Sequence, residues 1–239
     1  MRQTARESPY GGVSRKVLGQ KKRRALAKKL SRLAKSKYGE LKRRKIRLPL
    51  DQLALSILCR YTSTRRATRA LSQFKRAFVD WNEVRISPVG EIAAALSGTE
   101  WAKLAAARIV EVTQALFEAR NEVSLDFLEE LTTTQARTFL QGLPGVTRDL
   151  ADEVLLFSRR VSVLPLSAGA ASICYRLGLI RTERPTLENQ KSLMEIWPEE
   201  YYASVTLLLA DYAKSVCRSA GAHCRECGMK SVCPKVDVE

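Results

Sequence analysis

The chain has 239 residues, enough for one large domain or two small ones, and 45% of them are apolar, which excludes a chain disordered throughout. No apolar run approaches the roughly 20 residues of a membrane span, and no apolar stretch near Met1 suggests a secretory signal, so a cytoplasmic protein is expected. The net charge of +16 is unevenly placed: residues 1–50 carry 18 Lys and Arg against Glu7 and Glu40, and the remainder nets zero. A neutral body with a basic N-terminal arm, residues 1–47, suits a polyphosphate partner through counterion release, although such an arm can also serve only to solubilise.

In chain order, Pro9 and Gly11–Gly12 break the first segment, and a helix is predicted from Ser14 to Tyr38. Leu26, Leu30, Leu33 and Ala34 share one face of it, and Gly39 ends it. Alone it would be marginal; docking on the body or on a phosphate backbone would stabilise it. Its Lys21, Lys22, Arg23 and Arg24, with Arg43 and Arg44 beyond it, are candidate phosphate contacts. Asp51 is expected to cap a buried helix from Gln52 to Arg60. Thr64 starts the next, with Ala67, Ala70, Leu71, Phe74 and Phe78 on one side. Ser87–Pro88 opens a helix through Leu96; others run over Glu100–Ala119 and Ser124–Leu131. Two more flank Leu143–Thr147, and the last lie near 168–177, 187–197 and 199–217. Val161–Val163 is the only short strand candidate, so the fold class is all-α.

Two motifs carry chemistry. Cys217, Cys224, Cys227 and Cys233 follow C-x6-C-x2-C-x5-C and can wrap one metal centre; as chemistry alone, an iron–sulfur cluster and zinc both suit four thiolates. His223, the only histidine, is expected to face solvent, and Cys59 and Cys174 to be small core residues. The second motif is Leu143-Pro-Gly-Val-Thr-Arg148, a tight Pro–Gly turn between two helices. Gly145 permits close backbone approach, and the N–H groups opening the second helix face a phosphate. This matches the helix-hairpin-helix pattern, with Leu143, Gly145, Thr147 and Arg148 as candidate nucleic-acid contacts.

Together, the hairpin and the C-terminal cysteines resemble endonuclease III, of the helix-hairpin-helix DNA glycosylase superfamily. Leu55–Ser63 is similar to the family's early buried helix and its loop, and Arg176-Leu-Gly-Leu-Ile180 to the segment after its active-site loop. The resemblance implies two helical lobes: a six-helix barrel over 61–158, and a cluster-bearing lobe built from 48–60 and 159–239. It also implies a [4Fe-4S] cluster on the four cysteines and DNA in the cleft with a base flipped out. Structured RNA is a further candidate partner; a monomer without a small-molecule substrate is expected.

The family's catalytic residues do not carry over. Its Lys, which attacks the sugar C1′, falls on Asp149; its Asp, which activates the nucleophile, falls on Ser167. No Lys occurs between Lys103 and Lys191 and no acid between Glu153 and Glu183, so shifting the match restores neither. Thr147 stands for the usual second hairpin Gly and can cap the following helix, and Arg60 or Tyr61 stands where a Gln enters the DNA stack. The expectation is a DNA-binding relative that is inactive or altered. The alternatives are a glycosylase using a relocated carboxylate, Asp149 or Asp152, or an RNA-bound assembly component.

Overall fold

The computed structural model describes residues 17–39, 47–218 and 221–235. Among them there is no strand, and eleven α-helices follow one another. In order they are α1 (Gln20–Tyr38), α2 (Pro49–Tyr61), α3 (Thr64–Ala77), α4 (Trp81–Ile86), α5 (Val89–Leu96), α6 (Glu100–Arg120), α7 (Thr133–Gly142), α8 (Arg148–Ser158), α9 (Ala168–Arg176), α10 (Leu187–Met194) and α11 (Tyr202–Ser215). The stretch expected as a helix at 124–131 is a short 3-10 turn, Asp126–Glu130, and Val161–Val163 forms no strand. No helix among the described residues is long and apolar enough to cross a membrane.

Helix α1 starts later than its periodicity suggests and takes the first of its two options: it docks on the body. Leu26, Ala27, Leu30 and Ala34 are buried, and α1 packs along α11. Each buried Leu contributes about 2 kcal/mol, enough to hold a helix that would fray alone. Trp197 donates its indole N–H to the Ala27 carbonyl at 3.1 Å, and Lys29 bonds Ser231 in the cysteine segment at 2.8 Å. Residues 20–38 of the expected basic arm are therefore part of the core. At Gly39, φ is +71° and the N–H caps Lys35, so the expected stop is where the helix ends.

Helix α2 is nearly all buried and packs against α3, α6 and α8. Its main neighbours thus lie in the 61–158 segment. Asp51 is no cap; it lies in the first helical turn, 8% exposed, paired with Lys75 and accepting the Trp81 indole N–H at 3.1 Å. Pro49 opens the helix instead. Ser87, expected to start a helix, ends α4: its N–H bonds Glu83, and Pro88 is the cap of α5. Between α7 and α8 the turn is closed by Val146 N–H to the Leu143 carbonyl at 3.1 Å.

Candidate nucleic-acid interface and cysteine segment

The hairpin is assembled from local rules. Thr132 and Gln135 form a reciprocal cap that starts α7. The chain turns at Gly145, where φ is +67°, a conformation costly to side-chain-bearing residues. The first-turn N–H groups of α8 have no partner within the helix, and its dipole favours an anion there. A cation also reaches the turn from a distance in sequence: a β-carbon on Gly145 would lie 2.7 Å from the Arg108 guanidinium, carried by α6. Sequence pattern gave no sign of Arg108, because nothing local links α6 to the hairpin.

Of the candidate contacts, Gly145 and Thr147 are exposed and Arg148 is half-buried. Leu143 is buried, so it offers backbone only. Lys21, Lys22 and Arg24 are exposed on α1, whereas Arg23 is half-buried and its guanidinium is spent inside the body, on the Leu179 and Ser192 carbonyls, both at 3.0 Å. Arg43 and Arg44 lie outside the described residues. Tyr61 is an exposed aromatic at the end of α2.

Beside the hairpin a cavity of about 450 Å³ opens between Arg60, Thr147, Asp149, Asp152, Leu166 and Gln190. Arg60 reaches across from α2 to form an ion pair with Asp149. The Thr147 hydroxyl donates to the other oxygen of that carboxylate at 2.6 Å. Thr147 is thus the N-cap residue by position, but its side chain serves Asp149 and not the helix backbone, contrary to expectation. Asp152 is fully buried: Arg137 donates at 2.6 Å, Gln190 at 2.7 Å, and Arg148 lies 3.8 Å away. Both oxygens are engaged, so Asp152 is a structural centre that ties α7, α8 and α10 together. Ser167 caps α9, accepting the Ala170 N–H at 3.2 Å, and does not line the cavity. A Ser keeps the cap an Asp would supply and drops its charge.

One further carboxylate was not singled out from sequence. Glu153, one turn beyond Asp149, is half-buried. Desolvation, and to a lesser extent Asp149, push its pKa up to about 7, while Ser56, Arg60 and Lys214 act to hold it down. Lys214 on α11 bonds the Cys59 carbonyl and the Thr62 carbonyl, the latter at 2.8 Å, so it pins the loop after α2.

The four C-terminal cysteines are each half-buried. Cys217 directly follows α11, and its sulfur accepts from Arg176 at 3.4 Å; Cys227 accepts from the Met229 N–H and Cys233 from the Lys235 N–H, both also at 3.4 Å. Three of the four sulfurs thus have N–H donors, of the kind that support metal-bound sulfur. Met229 is buried, and the Gly228 backbone lies close to Leu33 of α1. Among the described residues, no three Cys, His, Asp or Glu converge closely enough to hold a single metal ion. His223 is exposed against Arg218, as expected, and Cys59 and Cys174 lie in α2 and α9.

This arrangement of helices has solved counterparts. One, in a non-covalent endonuclease III–DNA complex, superposes with a TM-score of 0.67 at 17% identity, covering 91% of this chain and 96% of that one. The fold is that of endonuclease III. A thermostable thymine-DNA glycosylase has the same endonuclease III-like fold, with a TM-score of 0.64 and 17% identity over 90% of this chain and 96% of that one. Among curated proteins, Thermotoga maritima endonuclease III is 29% identical over 128 residues, 54% of this chain and 55% of that protein. Oryza sativa subsp. japonica Protein ROS1C is 22% identical over 181 residues, 66% of this chain and 10% of that protein. The matched region thus spans about half of the first relative and a tenth of the second. No family model matches the chain.

Proposed function

We propose that this protein binds DNA through its hairpin, in the manner of a base-excision-repair protein, without the lyase chemistry of endonuclease III. The observation that carries this reading is the Arg60–Asp149 ion pair at the cavity mouth, braced by Thr147. A lyase needs an uncharged amine free to attack a sugar carbon. Here the position matched to that amine is a carboxylate already neutralised by a guanidinium. Ser167, matched to the family's Asp, is spent on a helix cap, so the charge that would stabilise a sugar cation is missing there. Gly145 still supplies backbone approach and Arg148 positive charge, with Arg108 beside the turn and paired with Glu111 at 2.5 Å; such contacts position DNA without reading its sequence.

The four cysteines would hold a [4Fe-4S] cluster, whose part here is to fix the C-terminal loop. The donor set supports this: four half-buried sulfurs, three with N–H donors, on a segment packed against α1. Iron and sulfide assays on purified protein test it; stoichiometric zinc without sulfide would replace the cluster with a zinc site.

A second reading keeps glycosylase activity with Asp149 as a relocated carboxylate, because Asp149 lines the cavity. Asp152 is less suited to that role than Asp149: both have their oxygens engaged, but Asp152 is fully buried and Asp149 only half-buried. Incubation with DNA carrying uracil, mismatches, oxidised pyrimidines or abasic sites separates the two readings. The first predicts binding without base release. Base release abolished by Asp149→Asn would establish the second.

A further inference from the structure

Helix α3 has a role that the hairpin does not account for. No acid occurs between Asp51 and Asp80, while Arg60, Arg65, Arg66, Arg69, Lys75 and Arg76 fall in that interval. Arg65, Arg69 and Arg76 are spaced by four and seven residues, which places them on one helical face, within about 40° of each other. That face borders an open groove. Together with Tyr38 of α1 and Leu207 of α11 it lines a groove of about 670 Å³, the arginines exposed within it. None of the three has an ion-pair partner among the described residues. The one acid in the groove, Asp211, is already satisfied by Tyr38, by the Thr64 hydroxyl at 2.9 Å and by Lys37 at 3.6 Å.

A chain of side-chain contacts links the groove to the hairpin. Thr147 and Asp149 touch Arg60; the loop after Arg60 is pinned by Lys214; and one turn earlier on α11, Asp211 takes the Thr64 hydroxyl at the start of α3. We propose that the groove between α1, α3 and α11 is a second phosphate track, which holds the sugar-phosphate backbone of the DNA flanking the stretch held at the hairpin. This rests on the DNA-binding reading above. The dimensions fit: from Arg65 to Arg76 the helix rises about 16 Å, long enough to meet successive phosphates of one strand. Arginine is suited to this task, since its planar donors grip phosphate oxygens in pairs. The Ser72 hydroxyl along the same groove adds a neutral donor, while that of Thr68 is already donated to the Thr64 carbonyl at 2.8 Å.

The test is a fluorescence-anisotropy titration on a long duplex between about 50 and 200 mM salt. The R65Q/R69Q/R76Q variant is expected to bind at least tenfold more weakly at the lower salt. The slope of log affinity against log salt should flatten by about 2 to 3. R65K/R69K/R76K, which keeps the charge, should retain the wild-type slope. If the Gln triple melts early, the three single Arg→Gln variants read the same quantity, each flattening the slope by about 0.9. Wild-type slope and affinity in the Gln variants would overturn the second track while leaving the hairpin reading intact. Failure of the wild-type protein to bind duplex at all would overturn both.

Discussion

The hairpin turn and the cavity beside it are built from neighbouring residues but use their polar groups differently. At the turn, Gly145 holds a positive φ, the first turn of α8 presents N–H groups, and Arg108 and Arg148 supply charge. In the cavity both carboxylates have partners, Asp149 in Arg60 and Thr147 and Asp152 in Arg137 and Gln190, and Ser167, outside it, caps a helix. Holding a phosphate requires backbone geometry and net charge, which tolerate many side chains. Attacking a sugar requires one free group in one place. The first can persist where the second is absent.

The comparison can be broken most forcefully at Asp152. If it is structural, Asp152→Ala leaves Arg137 beside an empty buried site and lowers stability by about 3 to 5 kcal/mol, visible in urea unfolding. A variant of wild-type stability with altered DNA processing would return Asp152 to the chemistry. Glu153 gives a smaller, pH-dependent effect. Its folded pKa of about 7 lies above the ordinary 4.5, so the folded state holds a proton that the unfolded chain releases. Stability contributed by that proton is present below about pH 4.5 and is lost as pH rises to about 7. Glu153→Gln should flatten this fall and be more stable at pH 8, by about 2 kcal/mol; melting temperatures across that range check it, and a parallel shift of both curves would contradict it.

Gly145→Ala sharpens the hairpin side. Strain at positive φ costs about 1 kcal/mol, and the added carbon would displace Arg108. DNA affinity should drop several-fold while the melting temperature changes by only a few degrees. The smallest effect on stability is expected at Arg60→Ala. Arg60 is partly exposed, so its loss costs under about 1 kcal/mol. Asp149 would then be left uncompensated at the cavity mouth, and DNA affinity should weaken, as read by titration.

Much of this was legible in the sequence, for identifiable reasons. The α3 face of Ala67, Ala70, Leu71 and Phe74 is buried as its spacing implies, and Gly39 and Gly145 do what only glycine does easily. What sequence pattern missed depends on partners distant in the chain. Asp51 looks like a cap until Lys75 and Trp81 claim it. Arg23 looks like a phosphate contact until Leu179 and Ser192 take its donors. The six residues of α4, with only Val84 buried, are too short to show a period. Thr147 has the right type for a cap, but a closer carboxylate outcompetes the backbone.

The central claim is that binding is retained where lyase chemistry is not. It is tested most directly by mixing the wild-type protein with duplex carrying an abasic site, measuring the affinity, and adding borohydride to the same samples. The account predicts a saturable, salt-dependent complex and no covalent adduct. A trapped protein–DNA adduct would contradict it, since no lysine is among the residues that line the cavity.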